Sequence, residues 1–242
     1  MTVARPRLKP FLLNAAADGC PRWLAAELDV ARVRDATSFH RGDIRQRLLD
    51  ELVAAHATSR EPSAEDFRTP VGMQAEQKWL HDHFARTYCE LFAGRPGMVV
   101  DHGLDQATAF PKRDVEAGGW VDLLLQMPDG SHELRQLELW DDSLSADPFD
   151  SWEIGLAVLR IRARLPDVGT LRIVHADLNR AASVEVVVDV PTVAPDIAAR
   201  LDTQVARLRA RASVPDPMPG GSCARCAHVR ACTGFEGRAP QR

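Results

Sequence analysis

The amino-acid sequence predicts an α/β fold: a mixed central sheet flanked by helices. Two long stretches in its first half keep apolar residues about 3.6 positions apart, and from Met98 the period shortens to two. The order along the chain is helices, strands, helix, strands, helix, the alternation of an α/β layer structure. An apolar fraction of 45% over 242 residues supplies material for a core of ordinary size.

The elements follow in order. CPRWLAAELDVARV predicts a helix over 20–34, and DIRQRLLDELVAAH predicts a second over 42–57. The polar link ATSREPSAEDFR comes next. Thr69 and Pro70 form a helix-start signal, and the apolar spacing then runs as one helix to Gly94. MVVDHG and ATAF are short strands. GGWVDLLLQM and SHELRQLELW read as a hairpin turning at Pro128-Asp129-Gly130. A helix opens at Asp147-Pro148, TLRIVHADL and ASVEVVVDV are strands, and PTVAPDIAARLDTQVARLRARA closes as a helix. Three segments result: an N-terminal helical part over 1–60, an α/β core over 61–212, and a C-terminal part over 213–242.

That last part opens with the breaker-rich run VPDPMPGG and carries Cys223, Cys226 and Cys232 with spacing C-x2-C-x5-C. With Cys20, which sits at a helix start, they supply the four thiolates that a 4Fe–4S cluster needs. Such a cluster would clasp the two termini around the intervening core. Zinc, with His228 as a nitrogen ligand, and a disulfide are the alternatives. Cys89, inside a helical pattern, is the spare and reads as a structural thiol.

A net charge of −4 argues against a strongly basic nucleic-acid binder. All the basic residues except Lys9, Lys78 and Lys112 are arginine, however, and they cluster. Arg41, Arg45 and Arg47 are candidates for DNA phosphate contacts; Arg160, Arg162 and Arg164, and Arg207, Arg209 and Arg211, form similar groups. Solvated helix faces explain the same clusters. The N-terminus imitates a lipoprotein signal only in outline, because Asn14 interrupts its short apolar core. No run reaches the roughly 18 apolar residues of a membrane span. A cytoplasmic protein without membrane contact is expected.

Asp122 and Glu138 lie on the two hairpin strands amid apolar neighbours, WVDLLL and QLELW. A carboxylate in that setting needs a cation or hydrogen-bond donors to offset its desolvation. Mg²⁺ or Mn²⁺ is one such cation, held by one or two carboxylates. Acids at a sheet edge, or paired to arginines, meet the need equally.

The order helix, strand, Asp strand, Glu strand, helix, strand resembles the PD-(D/E)XK nucleases, whose core is restriction-endonuclease-like. Cys20-Pro-Arg with the C-terminal C-x2-C-x5-C resembles the iron–sulfur branch of that superfamily, which includes CRISPR-associated RecB-like exonucleases and AddB-type nuclease domains. The resemblance implies DNA processing with Mg²⁺ or Mn²⁺, with Asp122, Glu138 and the Leu139 carbonyl as ligands and the cluster as a clasp.

Three departures fall where the chemistry of such a nuclease takes place. The motif lysine two residues after the glutamate is replaced by Trp140, which cannot activate water; Lys112 is the one lysine placed to substitute. After Gly42, where the family carries a metal-binding histidine, this chain has Asp43-Ile44-Arg45, and His40 is out of register. The Gln-x-x-x-Tyr motif of the helix after Glu138 is absent, and the only tyrosine is Tyr88. The expectation is an iron–sulfur protein of nuclease fold with a weakened or lost centre, serving as a DNA-binding or scaffolding component of a DNA-processing or defence complex. An active Mg²⁺- or Mn²⁺-dependent exonuclease, and a cluster-stabilised protein–protein adaptor, are the other two.

Overall fold

A computed structural model describes residues 7–8, 13, 20, 24, 39–57, 61–67, 74–103, 108–110, 115–117, 120–139 and 144–213. Numbered along the chain, the strands are β1 (Arg7–Leu8), β2 (Met98–Gly103), β3 (Thr108–Phe110), β4 (Val115–Ala117), β5 (Val121–Gln126), β6 (His132–Glu138), β7 (Thr170–Asp177) and β8 (Ala182–Asp189). The helices are α1 (Phe39–His56), α2 (Ala75–Leu91), α3 (Trp152–Arg164) and α4 (Val190–Ala212). The chain divides into two compact units. One comprises Ala36–Gln106 and Gly119–Ala194; the other comprises Met1–Asp35, Ala107–Gly118 and Pro195–Arg242.

The first unit carries a five-stranded mixed sheet in the order β2-β5-β6-β7-β8. Only the β6/β7 pair among these neighbours is parallel. Parallel neighbours need a crossover, and α3 supplies it. The hairpin forms where the sequence places it. Gly130 adopts φ 84°, a conformation glycine enters without a Cβ penalty, and Met127 closes the loop by donating its N–H to the Ser131 carbonyl at 2.8 Å.

Side-chain alternation sorts the sheet into two faces. On one, Leu123, Leu125, Leu137, Val174 and Ala176 pack with Ile44, Leu48 and Leu52 of α1 and Phe84 and Tyr88 of α2. On the other, Leu124, Leu134, Leu171 and Ile173 are fully buried. The crossover places α3 there, and α3 is buried at Trp152 and continuously from Ile154 to Ile161. Arg160, 2% exposed, ties α3 to β2 through two bonds to the Asp101 carboxylate, 3.1 and 2.8 Å.

Helix boundaries differ from the sequence expectation in one instructive place. The segment opening at Asp147-Pro148 first makes a 3-10 turn over Pro148–Asp150. Ser151 then returns to extended backbone and accepts the Glu153 N–H, so the α-helix starts only at Trp152.

The second unit carries a small sheet, β1-β4-β3, in which β1 runs parallel and β3 antiparallel to β4. Leu24, which is helical, donates its N–H to the Cys20 carbonyl at 2.9 Å; the rest of the helix expected over 20–34 lies outside the described residues. Beyond Pro195, α4 buries Ile197, Leu201, Val205 and Leu208, the stripe its spacing predicts. Cys223, Cys226, Cys232 and His228 lie outside the described residues, so the cysteine clasp has no counterpart among them. No helix among the described residues is long and apolar enough to cross a membrane.

Candidate functional site

The hairpin ladder runs in regular pairs from Gln126–His132 to Leu123–Arg135 and then opens. There Asp122, with no exposed surface, accepts four hydrogen bonds from three donors. Arg45 of α1 reaches both oxygens through Nη2, at 3.0 and 2.8 Å. The Leu137 N–H donates at 2.6 Å, and Trp120 donates through Nε1. The Arg45 guanidinium also lies 5.0 Å from the centroid of the Trp120 ring. Of the roles open to Asp122 in the sequence, pairing with an arginine is the one its contacts show.

Burial of Arg45 opposes its charge, but the carboxylates of Asp122, Glu153 and Glu138 outweigh burial and raise its pKa above the usual arginine value. A guanidinium thus stands among the acids where a divalent ion would need them. Mg²⁺ requires free carboxylate oxygens. Those of Asp122 are engaged by Arg45, Trp120 and Leu137, so the residues present do not fit a Mg²⁺ or Mn²⁺ centre in this arrangement. No three His, Cys, Asp or Glu residues converge as a metal-binding group among the described residues.

Register places the two predicted carboxylates on the same face of the sheet but not directly opposite each other. Extending the hairpin pairing by one position sets Gln136, not Glu138, across from Asp122. Glu138 is aligned with Asp177 on β7 and accepts the Leu139 N–H at 2.9 Å. Asp177 accepts the N–H groups of Asn179 and Arg180 in the β7–β8 turn.

Sequence reasoning missed Gln136 and His175, which neighbour each other across β6 and β7. Gln136 is 1% exposed, and neither its amide oxygen nor its amide nitrogen has a hydrogen-bond partner; the same holds for Nδ1 of His175. Burial lowers the His175 pKa, with Arg45 adding to the shift against Asp122 and Asp177. A buried amide that makes no hydrogen bond costs roughly 1–3 kcal/mol. Gln136→Leu is therefore expected to raise the unfolding free energy by about 1–2 kcal/mol in urea titrations. A loss of stability on that substitution would show that the amide is satisfied in solution.

The remaining predicted residues are placed as follows. Arg41 lies in α1, and Arg47 on α1 is exposed, whereas Arg45 is turned inward to Asp122. Arg160 and Arg164 both bind Asp101, which accounts for their clustering without a phosphate. Arg207 and Arg209 of α4 are exposed. Lys112 and Trp140 lie outside the described residues. Cys89 is half-buried, and burial together with Asp66, Glu61 and Glu90 pushes its thiol up to about 11, so it is protonated at neutral pH.

A second buried polar cluster lies on the opposite face. Arg135, without exposed surface, donates to Glu133 at 2.6 Å, to the Tyr88 hydroxyl at 2.6 Å and to the Arg95 carbonyl at 2.8 Å. Arg95 in turn joins Glu133 to Glu185, each at 2.5 Å. The Gly97 carbonyl can only accept, so His56 carries its proton on Nδ1, 2.9 Å away. Its Nε2 therefore accepts from Tyr88 at 2.8 Å. Burial and then the Arg135 charge lower the His56 pKa to about 4, while burial raises Tyr88 to about 12 against the pull of Arg135.

Fold and site together define an α/β protein with a mixed sheet whose central carboxylate is closed by an arginine. Comparison with models of known protein families gives no match, and comparison with curated proteins gives none either.

Proposed function

We propose that this chain is a non-catalytic relative of the PD-(D/E)XK nucleases that binds DNA, or scaffolds a protein partner, within a DNA-processing or defence complex. One observation carries the loss of catalysis: Arg45 occupies both oxygens of Asp122. Arg45 stands at the sequence position where the resemblance calls for a metal-binding histidine, so the same residue both removes a ligand and neutralises the carboxylate that remains. The protein then needs no divalent ion at this site, because the guanidinium supplies the positive charge. Arg47, exposed on the same helix, remains available for phosphate contacts.

The clasp belongs to the same proposal. Cys20, Cys223, Cys226 and Cys232 hold a 4Fe–4S cluster that joins the terminal segments and has a structural role. The bond from the Leu24 N–H to the Cys20 carbonyl supports a helix start at Cys20.

Metal binding, nuclease activity, iron content and DNA affinity test the proposal. The purified protein should bind no Mn²⁺ by electron paramagnetic resonance and degrade neither single- nor double-stranded DNA. Arg45→His, which restores the histidine and frees Asp122, should gain Mn²⁺ binding. DNA cleavage by the unmodified protein that is lost on Asp122→Ala would overturn the reading. Protein purified without oxygen should be brown and contain iron, and Cys226→Ala should be colourless; zinc-loaded, colourless protein would refute the cluster. DNA affinity that falls steeply with salt separates the DNA-binding role from that of a protein adaptor.

A further inference from the structure

Among the described residues, the five-stranded sheet ends in two edges, β2 and β8, and they are built differently. Unpaired edges template the addition of strands from other chains, and proteins blunt them with bulges, charges or proline. β2 is blunted: its register with β5 shifts between Val99 and Asp101 and again between His102 and Gly103. β8 has neither a bulge nor a proline, and its charges are two carboxylates, Glu185 and Asp189. Its eight residues, ASVEVVVD, pair with β7 in eight consecutive positions without a shift. The strand contains no lysine, arginine or proline. Val187 is 56% exposed.

We propose that β8 is an interaction edge and that its partner is β8 of a second copy of this chain, in antiparallel pairing that joins two sheets into one. The sequence of the strand specifies the register. A two-fold axis through Val186 sets Val186 opposite its own copy and Val184 opposite Val188, an all-valine row on one face. On the other face, Glu185 meets Val187 and Ser183 meets Asp189. The neighbouring same-face registers are worse: an axis at Glu185 opposes two glutamates, and an axis at Val187 opposes Glu185 to Asp189. Like charges directly across a strand pair destabilise it, whereas β-branched pairs favour it. Glu185 is already held by Arg95 and Arg172, so its charge is partly offset before pairing.

The test is the oligomeric state of the full chain by analytical ultracentrifugation, from micromolar into millimolar concentration. A reversible dimer is expected, with β8 amide exchange slowing as the dimer fills. Val187 is exposed, so charge at this position leaves the fold intact, to be checked by circular dichroism. Val187→Glu opposes Glu185 of the second copy twice and should weaken the dimer about tenfold. Val187→Lys opposes the same glutamate with the opposite sign and should strengthen it. A protein that stays monomeric, with β8 amides exchanging alike at every concentration, overturns the proposal. So does a dimer indifferent to both substitutions, and so does equal weakening by both charges, which would signal a different register or surface.

Discussion

Arg45→Met is expected to lower the unfolding free energy by roughly 3–5 kcal/mol, the range for leaving one member of a buried ion pair uncompensated. The magnitude follows from asymmetry within the pair. Asp122 has no exposed surface, while the Arg45 side chain keeps 21% of its own. Removing the guanidinium therefore strands a carboxylate that water does not reach, with Leu137 N–H and Trp120 Nε1 as its remaining donors. Asp122→Asn in the same background removes the stranded charge while keeping an oxygen for Leu137. The double variant should recover at least about 1 kcal/mol of the loss, the coupling expected of residues in one network. A loss below about 1 kcal/mol in Arg45→Met, typical of exposed pairs, would show that Arg45 does not seal the site in solution.

The second large effect is acid sensitivity. His56 is neutral in the folded protein with its pKa lowered to about 4, against 6.5 for the ordinary residue. Between these values the unfolded chain binds a proton that the folded chain refuses, so stability rises with pH across the window. Its contribution is complete above pH 6.5 and lost as pH falls through about 4. The shift corresponds to about 3 kcal/mol. Burial is the first cause and the Arg135 charge the second: a second proton on Nε2 would face Arg135 at 3.4 Å, and it would also take away the acceptor of the Tyr88 hydroxyl. Urea midpoints measured across this range should fall on acidification. His56→Leu should be less stable at neutral pH, because the Gly97 carbonyl loses its donor, yet show a flatter profile over the same range. An unchanged slope in His56→Leu would assign the acid sensitivity to other groups.

These two clusters have different relations to the sequence. Arg45 was legible as an anomaly, since it stands where a nuclease resemblance calls for histidine, and Asp122 as an acid in an apolar strand. Their contact was not legible, because 77 residues separate them. Gln136 gave no signal at all: glutamine in a strand is unremarkable until its neighbours are shown to offer no partner. His56, Tyr88 and Arg135 were equally silent, one residue from each of α1, α2 and β6.

The sequence by itself determined the elements and their order. Hydrophobic period and the Pro128-Asp129-Gly130 turn act over a few residues, and α1, the hairpin, β7, β8 and α4 form close to where those signals place them; α2 begins only at Ala75, and Thr69 and Pro70 lie outside the described residues. Tertiary structure alone decided what the acids do. The register of β5 on β6 set Gln136 rather than Glu138 across from Asp122, and the approach of α1 to the open end of the hairpin brought in Arg45. Both depend on how separate elements pack, and a strand's side-chain period of two leaves register to be settled by the faces that are finally buried.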